Sequence, residues 1–194
     1  EYHLTEYFGP ILGIIRCDTL EEAIEIQNAT DYGLTAGLHS LDADEINLWL
    51  DRVQAGNVYV NRGITGAIVR RQPFGGWKNS AIGAGTKAGG PSYLFGLGEW
   101  EADGTPENEG VELRNRALVE AAKVARSLDS NKEFVMASLR SSQQALDTEF
   151  AIGHDPSDLR VERNVLRYRP LPVLIRLSEG EDASQVLMLA AAGR

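Results

Sequence analysis

Residues 57–91 read NVYVNRGITGAIVRRQPFGGWKNSAIGAGTKAGGP, and the rest of the chain is interpreted around them. The stretch opens as a strand, NVYVN, and then contains eight glycines with little hydrophobic periodicity. A long loop of this kind buries few side chains, and its glycines let the backbone approach a ligand closely. Tight turns alone would need only one or two glycines. The composition therefore predicts a ligand-binding loop.

Two amphipathic helices are predicted upstream of this loop. Thr19 and Glu22 have the spacing of a capping box, as do Asp42 and Glu45, so each pair indicates the start of a helix. Apolar residues then recur at helical spacing after each pair. Gly56 follows the second helix, in the position that a C-terminal glycine cap takes.

Three strands are predicted around these helices. The candidates are residues 11–16 (ILGIIR), a buried apolar run, residues 35–40 (TAGLHS), and residues 57–60. The order strand, helix, strand, helix, strand is typical of an α/β fold with a mainly parallel sheet. Ligands of such sheets bind beyond the carboxyl ends of the strands, where the glycine-rich loop begins.

The composition changes after residue 100, which we take as the end of a first domain, residues 1–100. Residues 101–110 (EADGTPENEG) are acidic and rich in turn-forming residues, and we interpret them as a linker. Residues 111–194 are predicted to form a mixed α/β extension, which we expect to be incomplete. Its predicted elements are two helices that meet at residues 130–131, strands at 161–168 and 173–177, and a last helix at 181–192.

Charge and cysteine content exclude several classes of function. The net charge of −9 argues against non-specific binding to nucleic acid or to an anionic membrane surface. A single cysteine, Cys17, excludes an internal disulfide framework and a thiolate zinc cluster, and it fits a reducing cytoplasm. We expect no metal site and no membrane insertion. Because the chain does not open with methionine, we interpret it as a piece of a longer protein.

Several motifs occur in a fixed order along residues 1–91. They are Glu6-Tyr7-Phe8-Gly9-Pro10, then NVYVN, then Pro73-Phe74-Gly75-Gly76. This set resembles the aldehyde dehydrogenase superfamily and implies a partial aldehyde dehydrogenase catalytic-domain fold. Within it, NRGITGAIVRRQPFGG followed by KAGGP resembles the L-glutamate γ-semialdehyde (1-pyrroline-5-carboxylate) dehydrogenases, above all the module found in bifunctional bacterial proline-utilization proteins.

The resemblance implies NAD-dependent oxidation of L-glutamate γ-semialdehyde to glutamate. It also implies FAD in a fused proline dehydrogenase domain of the parent protein. Glu6 would bind the hydroxyls of the nicotinamide ribose, because a carboxylate accepts two hydrogen bonds from a diol. Phe8 would pack near the nicotinamide ring.

The substrate residues that the resemblance implies are Gly66, Ala67 and Phe74. The backbone N–H groups of Gly66 and Ala67 would hold the α-carboxylate of the semialdehyde, as backbone amides do at many anion sites. Phe74 would contact the aliphatic part of the substrate.

The resemblance places no catalytic residue in this chain. The nucleophilic cysteine and the general-base glutamate of the family lie upstream of the Glu6 motif. Cys17 matches no nucleophile motif and is expected to be a small buried or half-buried residue. We therefore expect the isolated chain to be inactive.

An alternative function is a non-catalytic structural or assembly module with an aldehyde dehydrogenase-like fold. Residues 163–170 (RNVLRYRP) resemble the C-terminal extension of the longer proline-utilization proteins, which implies a structural or assembly role. Self-association is expected if strands missing from the sheet leave an edge that pairs with a second copy. The arginines between residues 160 and 176 are expected to lie on a solvated face.

Overall fold

The computed structural model describes residues 2–69, 71–81, 86–101, 108–128 and 131–193. Residues 102–107 of the predicted linker and Ser130 of the predicted helix break lie outside the described residues. The chain divides into two compact units, Glu1–Glu99 and Trp100–Arg194.

The two predicted helices of the first unit are present as α1 (Leu20–Asn28) and α2 (Ala43–Arg52). Thr19 Oγ1 accepts a hydrogen bond from the N–H of Glu22 at 3.2 Å. The Glu22 carboxylate in turn accepts from the N–H of Asp18 at 2.9 Å, so the return bond of the capping box is displaced by one residue.

Helix α2 begins at a stronger cap. Asp42 Oδ1 accepts from the N–H groups of Asp44, at 2.8 Å, and Glu45, at 3.3 Å. The Glu45 carboxylate accepts a 2.6 Å hydrogen bond from the Ser40 hydroxyl rather than from the cap backbone. These bonds satisfy N–H groups that a helix start otherwise leaves unpaired.

Two pairs of short strands accompany the helices. Strands β2 (Thr35–Leu38) and β3 (Asn57–Val60) run parallel, with Thr35 opposite Asn57 and Leu38 opposite Val60. Strands β1 (Tyr32–Gly33) and β4 (Trp77–Lys78) pair antiparallel. The parallel pair confirms the two later strands of the predicted order and places the glycine-rich loop directly after β3.

The core of the first unit lies between the helices and the parallel strands. Trp49 of α2 is 2% exposed, and its indole Nε1 donates to the Gln27 side chain at 2.8 Å, so its polar atom is satisfied. Its buried neighbours are Ile24, Ala36, Val53 and Ala55.

The predicted strand at residues 11–16 is wrong. The segment forms no strand, and its apolar side chains are exposed, with Leu12 84% and Ile14 79% exposed. A strand needs a neighbour to accept its hydrogen bonds, and none of the strands in the described part of the chain pairs with this segment.

The prediction of a glycine cap at Gly56 is also wrong. Helix α2 ends at Arg52, and Val53, with ψ of 138°, already has extended backbone. Gly56 is a glycine for a different reason: a Cβ there would overlap the carbonyl oxygen of Gly75 and lie 2.7 Å from the Cα of Gly76.

The described residues of the second unit form three α-helices. They are α3 (Arg116–Ala125), α4 (Lys132–Ala145), which continues as a π-helical turn over Leu146–Phe150, and α5 (Ala183–Ala192). Asn115 caps α3, and Asn131 precedes α4 with a φ of 59°, so the predicted break between these helices is confirmed at Asn131. The helices share one core, made by Leu118, Ala121, Ala122, Ala125, Val135, Leu139 and Ala191.

The two predicted strands of the second unit are wrong. Within the described residues of this unit the only β-pairing is the single bridge between His154 and Leu166. Val161 and Leu174, expected inside strands, are exposed. The three helices bury their apolar faces against one another, so no sheet is needed to cover them. The described part of the extension is therefore helical, not mixed α/β.

None of the helices in the described ranges is long and apolar enough to cross a membrane.

Candidate functional site

One face of strand β3 carries two buried polar side chains, Asn57 and Tyr59. They are 8% and 5% exposed, and alternate residues of a strand point to the same face. Both side chains make hydrogen bonds to the glycine-rich loop that follows the strand. The strand therefore fixes the loop at two places.

Tyr59 fixes the first part of the loop. Its hydroxyl donates to the carbonyl oxygen of Gly66 at 2.9 Å, and the Arg62 guanidinium lies 5.1 Å from the centre of its ring. Gly66 has a φ of +79°, a conformation that residues with a Cβ rarely adopt, and open space surrounds the position of a Cβ. Gly66 and Ala67 are both exposed.

Asn57 fixes the turn that contains Phe74. Its amide Nδ2 donates to the carbonyl oxygen of Pro73 at 3.1 Å, and its Oδ1 accepts from the N–H of Gly75 at 3.0 Å. The backbone is therefore held on both sides of Phe74, which is itself half-buried.

Lys87 approaches the same turn from the far end of the loop. Its ammonium donates to the carbonyl oxygens of Gly56 at 2.5 Å and Gly75 at 2.7 Å, and it lies 3.5 Å from Asn57 Oδ1. Burial lowers the pKa of Lys87 from 10.5 to about 8, because a partly desolvated ammonium is less favourable than a neutral amine.

This pKa makes a prediction about alkaline stability. Between pH 8 and pH 10.5 the unfolded chain holds more protons at Lys87 than the folded chain, so the contribution of Lys87 to the free energy of unfolding rises with pH across this window. We expect the difference in unfolding free energy between wild type and Lys87→Met to increase over the window. Urea unfolding at several pH values measures it, and a constant or falling difference would contradict the burial of Lys87.

The structure brings together three of the five predicted site residues. Gly66 and Ala67 lie in the first part of the loop and Phe74 follows. The bonds from Tyr59 and Asn57 attach these two parts to one face of β3.

For the other two predicted residues, Glu6 and Phe8, the described part of the chain shows no such attachment to the loop. Both are exposed, Phe8 by 94%, and no hydrogen bond within the described ranges joins either to the loop. A cavity of about 430 Å³ lies between the N-terminal segment and the end of α1, lined by residues such as His3, Tyr7 and Gln27. None of the five predicted residues lines it. Nor do the described residues contain a cluster of side chains suited to hold a metal ion.

Sequence reasoning missed Asn57, Tyr59 and Lys87. The first two leave a signal in the sequence, because they alternate with the valines of an otherwise apolar strand and so mark its polar face. Lys87 leaves none, since a lysine in a glycine-rich stretch is expected to be an exposed loop residue.

Comparison with known proteins finds a match in the first unit. Residues 1–96 match the model of the aldehyde dehydrogenase family. The bifunctional protein PutA of Rhizobium meliloti is 50% identical over 91 residues, which are 46% of this chain and 7% of that protein. The 1-pyrroline-5-carboxylate dehydrogenase of Bacillus pumilus is 46% identical over 89 residues, 46% of this chain and 17% of that protein.

A solved structure is similar along both units. Proline utilization A from Corynebacterium freiburgense has a TM-score of 0.79 and 45% identity, covering 98% of this chain and 18% of its own. The chain thus spans less than a fifth of the length of each of these three proteins. The motifs of residues 1–91, the family match and the structural likeness agree, and residues 1–96 are part of a domain of the aldehyde dehydrogenase family.

Proposed function

We propose that this chain supplies part of the active site of an NAD-dependent L-glutamate γ-semialdehyde dehydrogenase that acts in the catabolism of proline to glutamate. The observation that carries the proposal is the glycine-rich loop, in which Gly66 and Phe74 are both positioned from one face of β3. The name of the relative that is 46% identical, a 1-pyrroline-5-carboxylate dehydrogenase, supports the choice of substrate.

The semialdehyde carries an α-carboxylate at one end, an aliphatic middle and an aldehyde at the other end. In the proposal, the backbone N–H groups at Gly66 and Ala67 bind the carboxylate. Three features support this: the exposed position of both residues, the φ of +79° at Gly66, and the open space beside it. The Tyr59 hydroxyl donates a hydrogen bond to the carbonyl oxygen of Gly66. This bond restrains the orientation of the peptide group between Gly66 and Ala67.

The residues proposed for NAD are Glu6 and Phe8. Their chemistry fits the group, because an exposed carboxylate can accept from a ribose diol and an aromatic ring that is 94% exposed has its face free for a planar ring. When bound, NAD would accept the hydride. This chain would contribute binding and orientation, and the nucleophile and base would come from elsewhere in the parent protein.

Further parts of the proposal have separate grounds. A fused proline dehydrogenase domain with FAD rests on the resemblance of the motifs. Self-association rests on strand edges that would lack partners in this chain, and a cytoplasmic location rests on the single cysteine.

The proposal is tested by Gly66→Val in the full-length protein that contains this chain. Valine is strained at a φ of +79°, and its side chain fills the proposed carboxylate position. Loss of two charge-assisted hydrogen bonds is worth about 3 kcal/mol, so we expect kcat/KM for the semialdehyde to fall by roughly 100-fold. Any proline oxidation by the same protein should be unchanged.

Gly63→Val is the matched control. Gly63 lies in the same loop, also has open space beside it, and has no positive φ, so valine there should leave semialdehyde oxidation nearly intact. Equal losses in the two variants would show that the loop responds to any added bulk. Absence of semialdehyde oxidation in the wild-type protein would overturn the proposal itself.

A further inference from the structure

The backbone at Phe74 is held more tightly than its place in a glycine-rich loop suggests. Phe74 and Ala88 exchange two hydrogen bonds, at 3.0 Å and 2.9 Å. The adjacent Lys87 donates to the carbonyl oxygen of Gly75 at 2.7 Å. Together with the bonds from Asn57, these contacts restrain the backbone at three consecutive residues, Pro73 to Gly75.

Lys87 connects this turn to the start of β3. Its Nζ reaches the carbonyl oxygen of Gly56 at 2.5 Å while also holding Gly75. Lys87 is half-buried, and a lysine ammonium seldom leaves water even in part without an acidic partner, because desolvating it is costly. The atoms that face this ammonium in the described part of the chain are two carbonyl oxygens and an amide oxygen. The Lys87 ammonium therefore binds backbone carbonyl groups and joins residues 56 and 75.

We propose that Lys87 is a positioning residue that fixes how far Phe74 reaches toward the aliphatic chain of the substrate. The inference rests on the function proposed above, and it concerns discrimination of substrate length. Phe74 can select a chain length only if its backbone keeps a constant distance from the carboxylate anchor. Tyr59 and Asn57 hold the anchor and the turn on one side, and Lys87 closes the turn from the other.

The first unit contains a second lysine with the same kind of contacts. Lys78 Nζ donates to the carbonyl oxygens of Asn28, at 2.6 Å, and Thr30, at 2.9 Å, where it holds the end of α1. Removing this ammonium also removes two hydrogen bonds to backbone carbonyls, but those carbonyls belong to residues 28 and 30 and not to the turn around Phe74. Lys78→Met is therefore a control for loss of a structural lysine.

The experiment compares Lys87→Met and Lys78→Met in the full-length protein. The readout is the ratio of kcat/KM for L-glutamate γ-semialdehyde to that for its homologue with one methylene fewer. One methylene in an apolar contact is worth roughly 10- to 200-fold in such a ratio. We expect Lys87→Met to reduce the ratio about tenfold or more, with the KM for NAD unchanged, and Lys78→Met to leave the ratio at its wild-type value.

Hydrogen exchange of backbone amides provides a readout apart from activity. The amide of Gly75 should exchange faster in Lys87→Met, while the amides of α2 keep their protection. If α2 also loses protection, Lys87→Gln, which retains two N–H donors, replaces the methionine variant and should give a smaller change in the same direction.

Two outcomes overturn the inference. One is a length ratio that stays at the wild-type value in a folded Lys87 variant. The other is a ratio that falls equally in the Lys78 variant. Either result leaves the proposed function standing, because the wild-type protein would still oxidise the semialdehyde.

Discussion

Replacing Gln143 with leucine is expected to lower the free energy of unfolding of the second unit by about 3 kcal/mol. Gln143 is 2% exposed, and its Oε1 accepts from the N–H groups of Arg114, at 2.9 Å, and Asn115, at 2.8 Å. Leucine fills a similar volume but accepts no hydrogen bond. Two backbone donors would then be left without partners, and each such loss costs about 1–3 kcal/mol when the group is buried.

The same substitution also disturbs the link between α3 and α4. Gln143 Nε2 donates to Asp147 at 3.0 Å, and Asp147 binds the Arg114 guanidinium at 2.6 Å. That ion pair is exposed and contributes little by itself. The buried side-chain amide of Gln143 therefore accounts for most of the expected loss of unfolding free energy. It binds both the start of α3 and Asp147.

The measurement is hydrogen exchange under increasing urea, followed at amides of α3 and α4 in the 194-residue chain. Amides of α2 serve as an internal reference, because two units need not unfold together. Gln144→Leu is the matched control: Gln144 is exposed on the same helix, and leucine there should change stability by less than about 0.5 kcal/mol. Similar losses of unfolding free energy in both variants would contradict the prediction, because they would show that leucine destabilises α4 at any position.

Alanine at Gly56 is expected to disrupt the glycine-rich loop, because the added methyl group meets backbone. The added Cβ would overlap the carbonyl oxygen of Gly75 and lie 2.7 Å from the Cα of Gly76. Both neighbours are backbone, so neither can rotate away as a side chain does. The turn around Phe74 must move, and its bonds to Asn57 and Lys87 must break or stretch.

We expect Gly56→Ala to lower the free energy of unfolding of the first unit by about 1–3 kcal/mol, the usual cost of overpacking. Because a displacement near 1 Å can reduce turnover about 100-fold, semialdehyde oxidation by the full-length protein should fall severalfold or more. Urea unfolding and steady-state kinetics measure the two effects. Gly63→Ala, where the added methyl meets open space, should show neither, and a Gly56→Ala variant with wild-type kinetics would contradict the close approach of the two backbones.

The helices could be predicted because their signals are local. Asp42 and Asn115 satisfy the first N–H groups of α2 and α3, and such bonds span only two or three residues. Gly56 shows where local reasoning fails. A glycine after a helix can serve a left-handed cap or a close backbone contact, and only the position of Gly75 distinguishes them.

The strands could be predicted only in part. An apolar run indicates that a segment tends to be buried, but it does not identify the strand with which the segment pairs. Residues 35–38 and 57–60 find each other and pair. Residues 11–16 and 173–177 are equally apolar, yet neither segment forms a strand, and most of their side chains are exposed. Pairing depends on residues distant in sequence, which composition does not identify.

The sequence indicated which residues belong to the candidate site, but not which side chains hold them in place. The motifs indicated Gly66, Ala67 and Phe74, whose roles remain predictions. The side chains that hold these positions, Tyr59 and Lys87, act over seven and twelve residues of irregular backbone. No periodic pattern encodes such contacts.

The two anchors on β3 also determine where the chain can change in length. Asn57 and Tyr59 share one strand face, and a shift of the strand by a single residue would turn both to the opposite face. One residue inserted within β3, between Asn57 and Tyr59, would therefore turn these two side chains to opposite faces and detach one part of the loop. One residue inserted beside Gly63, in an exposed stretch between the anchors, would add little more than loop entropy. Length variants of this loop are best sought there when its ligand preference is to be redesigned.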